Sequence, residues 1–147
     1  VLEKAVGGDL REFLGDDEEV SEDFGKSVTF QLSHAVAFLH GRDIMHRDIK
    51  PDNILMRDAN SWEILLSDFG LACRLGTPEA AVRCGTAGFI APEMLSSSKW
   101  DARVDCFAIG AVTHFILTRS LVFLGNSMEE VLKRTKAGRV KISREMS

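Results

Sequence analysis

Hydrophobic positions along this chain fall into separated blocks, and their spacing predicts a mainly helical protein with short strands between the helices. Val28, Leu32, Ala35, Val36 and Leu39 recur at helical spacing and mark the core-facing stripe of a helix that runs to His40. Ser21 can cap that helix, with Glu22 and Asp23 placed well for its dipole. Upstream, Asp9 followed three residues later by Glu12 is an aspartate version of the capping box and opens a short helix. Val1 to Val6 reads as an apolar, strand-like piece ending at Gly7-Gly8, and Gly15-Asp16-Asp17-Glu18-Glu19 as a solvated acidic turn. Ile54-Leu55-Met56 and Glu63-Ile64-Leu65-Leu66 predict two short strands joined by a turn over Arg57 to Asn60. Val104 to Thr118 is apolar nearly all round, the pattern of a helix buried at a domain centre. Ser127-Met128-Glu129-Glu130 is a capping box for a last helix, with Lys133, Arg134 and Lys136 at its carboxyl end and Gly138 as its stop. Leu71 to Ile90 is left as a long connection containing Pro78, and connections of that length are usually functional or disordered.

At 147 residues, with 45% hydrophobic and 27% charged side chains, the composition is that of one ordinary globular domain. A net charge of -4 gives no support to a nucleic-acid or membrane-surface role. The longest apolar stretch, Cys106 to Thr118, is shorter than the ~20 residues that cross a bilayer, so no transmembrane segment is expected. No signal peptide is visible, and the chain does not open on Met, so the true amino terminus is expected upstream. Cys73, Cys84 and Cys106 are odd in number and widely spaced, which predicts reduced, largely buried thiols in a reducing compartment. His34 and His40 have no metal-binding partner one turn away and read as structural or surface histidines.

Candidate chemistry sits between these elements. His46-Arg47-Asp48, then Lys50-Pro51-Asp52-Asn53, then Asp68-Phe69-Gly70 set carboxylates, a carboxamide and an ammonium group in one ordered series. Phosphoryl transfer from Mg-ATP needs an acceptor for the attacking hydroxyl's proton, oxygen ligands for a hard cation and a positive charge near the moving phosphate. The chain resembles the carboxyl-terminal lobe of eukaryotic serine/threonine protein kinases, whose catalytic and metal-binding loops carry these residues at this spacing.

The resemblance implies an α+β, mainly α-helical fold, with small β-hairpins and no amino-terminal lobe. It implies Asp48 as catalytic base, Lys50 as the cation at the transferring phosphate, and Asn53 and Asp68 as ligands of Mg2+. Phe69 would pack inward, and Gly70 would allow unusual backbone angles in that loop. Arg47 would meet a phosphorylated residue of the activation loop, yet the position that often carries that threonine is Val82, with Thr77 or Glu79 as displaced alternatives. The expectation is a loop ordered without phosphate at the usual site. Gly85 to Glu93 resembles the substrate-receiving segment, with Thr86 beside Asp48 and Lys50, and Glu93 left without its usual downstream arginine. Asp105 would brace the catalytic loop, with His46 and Phe69 stacked above it, Phe107 in place of a usual tryptophan, and Trp100 near the end of the substrate segment. Leu2 to Asp9 resembles the hinge: Leu2 as gatekeeper, Glu3 and Ala5 at the adenine edge, Asp9 at the ribose and Leu55 beneath the base.

The whole chain, 1–147, then reads as a partial kinase domain running from the hinge to the Ser127 helix, closest in style to the calcium/calmodulin-dependent group. No glycine-rich phosphate loop, strand lysine or helix glutamate precedes the hinge, so weak nucleotide binding and little transfer are expected of these residues alone. Implied cofactors are ATP and Mg2+, and implied partners are proteins bearing Ser or Thr, with a regulatory domain outside the chain. The implied location is cytoplasmic or nuclear. An inactive kinase-like binding module is the alternative, although such a module has no need of Asp48, Lys50, Asn53 and Asp68 together. A metal-dependent hydrolase built on Asp48 and Asp68 leaves the other motifs unexplained.

Overall fold

The computed structural model describes residues 4–15, 20–97 and 99–138. Two antiparallel helices form its spine, α2 (Glu22–His40) and α4 (Arg103–Thr118). The sequence dictates α2 at both levels. Ser21 Oγ accepts the Phe24 N–H at 3.2 Å, as expected of the cap, and the stripe Val28, Leu32 and Val36 is buried. That stripe meets Ala108, Val112 and Ile116 of α4, and a Thr29–Thr113 hydroxyl bond of 2.8 Å ties the two helices. Helix α4 is not buried all round: Cys106 and Gly110 are exposed, and Leu117 keeps 43% of its surface. Its inward face alone belongs to the core.

The short helix α1 (Leu10–Leu14) carries the predicted reciprocal box: Glu12 N–H donates to Asp9 at 2.8 Å, and Asp9 N–H donates to Glu12 at 3.3 Å. Leu10 and Leu14 bury its inner face. Strands β2 (Ile54–Met56) and β3 (Ile64–Leu66) pair antiparallel, Ile54 opposite Leu66, as the two apolar runs and the turn between them predict. The apolar segment expected over Val1 to Val6 falls otherwise. Its first three residues lie outside the described ones, and pairing with β2 starts at Val6 and runs through Gly7 and Gly8 to a bridge between Asp9 and Leu55. The acidic turn at residues 16–19 also lies outside them.

Two elements have no local signature. Strand β1 (Ile44–Met45) pairs with β4 (Cys73–Arg74), so the expected structureless connection is partly a strand, followed by a 3-10 turn at Pro78–Ala81. Two-residue strands show no period, and only their pairing across the chain creates them. Helix α3 (Pro92–Ser96) follows with Pro at its start, a favoured first-turn position. Met45, Ile90, Ala91, Met94 and Val104 form a second apolar cluster beneath it, with Trp100 packed on its edge. Helix α5 (Met128–Ala137) starts at Ser127 and stops at Gly138 as expected, but Glu130 accepts from Asn126 N–H at 2.8 Å rather than closing the box on Ser127. The mainly helical α+β organisation expected from the sequence is the one observed. No helix among the described residues is long and apolar enough to cross a membrane.

All three cysteines are free thiols, but their burial differs from expectation: Cys73 and Cys84 are half-buried and Cys106 is exposed on the outer face of α4. Burial pushes the Cys73 and Cys84 thiols up, against the opposing charge of Arg47. A raised thiol pKa means less thiolate at a given pH and slower attack. Labelling with an aromatic disulfide at neutral pH should show one fast thiol and two slow ones. Cys106→Ser should remove the fast phase and no other.

Candidate active site

Asp105, at the start of α4, is 1% exposed and fully engaged. Its Oδ2 accepts His46 N–H at 2.9 Å and lies 2.8 Å from His40 Nε2, while its Oδ1 accepts Arg47 N–H at 2.9 Å. One buried carboxylate thus holds consecutive backbone amides of the loop after β1 and keeps Arg47 in left-handed backbone at φ 68°. Such a conformation costs a non-glycine residue about 1 kcal/mol and survives where its surroundings over-determine it. His46 is fully buried; its Nε2 meets Ser67 O at 2.9 Å, and its ring stands edge-on to Phe69 at 5.0 Å.

The loop delivers Asp48 into a knot of donors. Thr86 Oγ1 donates to Asp48 Oδ1 at 2.7 Å, Asn53 Nδ2 donates to Oδ2 at 3.0 Å, and Lys50 Nζ lies 3.1 Å from Oδ2. Lys50 also donates to Thr86 Oγ1 at 3.0 Å. Asp48 and Lys50 keep only 8% and 21% of their side-chain surface, so each charge is matched where water is scarce. A carboxylate offers about four lone-pair sites, and three are filled here, which leaves capacity for one further donor.

Asn53 closes the same loop by donating to Asp48 O at 2.8 Å. Its amide nitrogen is spent on Asp48, so the carbonyl oxygen is the group it can offer a cation. The hairpin brings Asp68 to this side: Ser67 N–H and Oγ both donate to Asn53 O at 2.9 Å, placing Asp68 one residue beyond that pair. Asp68 is exposed. The Asn53–Asp68 donor set, all oxygen and part carboxylate, fits a hard divalent ion. No group of three His, Cys, Asp or Glu side chains suited to a metal occurs among the described residues.

Two expectations about the Asp68 loop are corrected. Phe69 does not pack fully inward: His46 covers one edge of its ring, and the residue stays 49% exposed. The unusual backbone belongs to Asp68, at φ 57°, not to Gly70. Gly70 sits close to that carboxylate instead: its N–H donates to Asp68 Oδ1 at 3.1 Å, and a Cβ there would stand 3.0 Å from the same oxygen, a contact the Asp68 side chain would have to widen slightly.

Arg47 points its guanidinium at backbone rather than at a side chain. It donates to the carbonyls of Leu71 at 2.7 Å, Val82 at 3.2 Å and Glu79. Gly85, at φ 104°, passes so close that a Cβ would lie 2.9 Å from Arg47 O. Thr77 donates to Arg74 O at 2.9 Å and starts the turn that carries Glu79. Glu93 is half-buried; among the described residues its carboxylate makes no hydrogen bond or salt bridge, and it acts on Arg103 electrostatically.

At the amino end, Leu2 and Glu3 lie outside the described residues. Ala5 is half-buried, and the bridge brings Asp9 and Leu55 together, with an Asp9 oxygen committed to capping α1. The residue that sequence reasoning left unused is His40, treated only as structural or surface. Its bond to Asp105 spans 65 positions, and no local pattern announces it.

Removing Asp105 leaves buried loop amides without acceptors. Asp105→Ala should cost about 3 kcal/mol or more. A urea midpoint shifted down with an unchanged slope is the expected result; an unchanged midpoint would refute the bracing role.

A family model described as "Protein kinase domain" matches residues 1–146. Among curated relatives, Probable serine/threonine-protein kinase 2 of Plasmodium falciparum is 34% identical over 91% of the chain, which corresponds to 26% of its own length. Myosin light chain kinase A of Dictyostelium discoideum is 33% identical over 91% of the chain and 46% of its own length. Sperm motility kinase Z of Mus musculus is 31% identical over 100% of the chain and 30% of its own length. The chain spans less than half of each.

Proposed function

Because the chain belongs to the protein kinase domain family, we propose that it carries the catalytic loop of a serine/threonine protein kinase, which moves the γ-phosphate of ATP to protein hydroxyls. The observation that carries this reading is the shared knot of Asp48, Lys50, Asn53 and Thr86. Asp48 has one acceptor position left for a substrate hydroxyl and takes its proton as the oxygen attacks. Lys50, held between Asp48 and Thr86, keeps positive charge beside the place where the phosphate changes hands. Asn53 and Asp68 are the oxygen donors that would hold magnesium, which supplies charge neutralisation on the phosphates when bound. Ala5 and Asp9 from the described part of the hinge, Leu55 of β2 beneath the base, and Leu2 and Glu3 before them make up the nucleotide side of the reading. Ser/Thr preference rests on Lys50 and its bond to Thr86. Residues 1–147 are assigned to the part of the domain from hinge to α5, nearest the calcium/calmodulin-dependent group on the segments at Gly7, Gly85 and Glu129.

Arg47 supports a further part of this reading. Its guanidinium is engaged by the carbonyls of Leu71, Glu79 and Val82. Val82 cannot accept phosphate, so the segment from Asp68 to Glu93 is ordered by main-chain bonds rather than by an arginine–phosphate pair at that position.

Asp48→Asn retains shape but not basicity and, made in a chain extended by an amino-terminal lobe, should lower transfer from labelled ATP to a Ser/Thr peptide library by about a thousandfold relative to its parent. Undiminished transfer by that variant would sink the assignment. Phosphatase treatment should leave activity unchanged; an essential phosphate at Thr77, found by phosphopeptide mapping, would refute the phosphate-independent segment.

A further inference from the structure

Asp52 lies in the 3-10 turn Pro51–Asn53, four residues after Asp48 and next to the asparagine that ties the turn to it. Its carboxylate is 44% exposed at the rim of the site, near enough to Lys50 to feel its charge. A bare carboxylate there would attract a cationic residue flanking the phosphoacceptor. It is not bare. Arg11 of α1 reaches across and grips both oxygens, Nε to Oδ1 at 3.1 Å and Nη2 to Oδ2 at 3.2 Å. The same guanidinium lies over the Phe115 ring, 5.0 Å from its centroid, so the side chain is docked from two sides. Partial burial of Asp52 pushes its carboxyl up, but the Arg11 bonds and charge outweigh this and hold it below the ordinary range.

We propose that Arg11 is a specificity-determining residue: as an internal cation on Asp52 it removes selection for Arg or Lys beside the phosphoacceptor. The inference rests on the protein-substrate reading above. A substrate cation would have to displace a two-point arginine–carboxylate contact. It would also compete with a partner held at an effective concentration of about millimolar, against substrates that are commonly micromolar. The paired charges leave that stretch of rim close to neutral. Glu12, beside Arg11 on α1, is committed to the α1 cap.

The test uses fluorescent peptides with a central Ser in a Gln/Ala background, an Arg being moved through each flanking position. Binding is read by anisotropy, and phosphorylation with labelled ATP in parallel. Wild type should bind Arg and Gln peptides alike. Arg11→Gln, which keeps a polar stem near Phe115, should favour Arg about five-fold at one or two positions, the size expected of a half-exposed ion pair. Adding Asp52→Asn should return the ratio to near one, and salt at about 0.5 M should erase the gain. Arg11→Lys, which keeps the charge without the fork, should fall between and provides a second variant should the first misfold. A wild type that already selects Arg, or an unchanged ratio in a folded Arg11→Gln, overturns the inference alone. Absence of peptide binding and phosphorylation in every variant overturns the protein-substrate reading, and the inference with it.

Discussion

The structure depends on Asp105. Buried carboxylates are tolerated only when their lone pairs are filled, and this one is filled by His46 N–H, Arg47 N–H and the ring of His40. It stands on α4, whose inward face belongs to the core, so the loop bearing Asp48 is anchored to the core. His40 adds the end of α2 to the same anchor. The two spine helices and the Asp48 loop are thereby tied at one point. The left-handed backbone of Arg47 follows from that tie and aims its side chain at the segment beyond Asp68.

From this anchor the site is built by sharing. Asp48 and Lys50 each answer Thr86, a residue from a distant stretch, so the Asp48 loop and the Gly85–Glu93 segment fix each other. Asn53 answers Asp48 with its amide and Ser67 with its backbone, which couples Asp48 to the strand end that delivers Asp68. Displacing any one of these residues disturbs two others. Preorganisation here is a property of the network more than of any single pair.

Much of the fold was legible because it is local. The caps at Asp9, Ser21 and Ser127 and the stop at Gly138 sit where side-chain chemistry places them, within a turn of the residues they serve. The α2 stripe and the two apolar runs of β2 and β3 are likewise read from neighbours. Strands β1 and β4 escaped because two residues carry no period, and their pairing is decided across the chain. The outward face of α4 escaped because an apolar sequence does not say which of its sides finds a partner.

The sequence by itself determined the chemical inventory and its order: a base candidate, a lysine, two candidate oxygen ligands and a threonine, at spacings that match one family. It also determined the helices that bear them. Only the tertiary structure decided how those groups are used. It assigned the unusual backbone to Asp68 and close packing to Gly70, turned Phe69 half outward, enlisted His40, answered Arg47 with carbonyls and paired Asp52 with Arg11. The physical reason is range. Caps and periodicity act over three or four residues, whereas hydrogen bonds and ion pairs that fix a site join residues the chain keeps far apart.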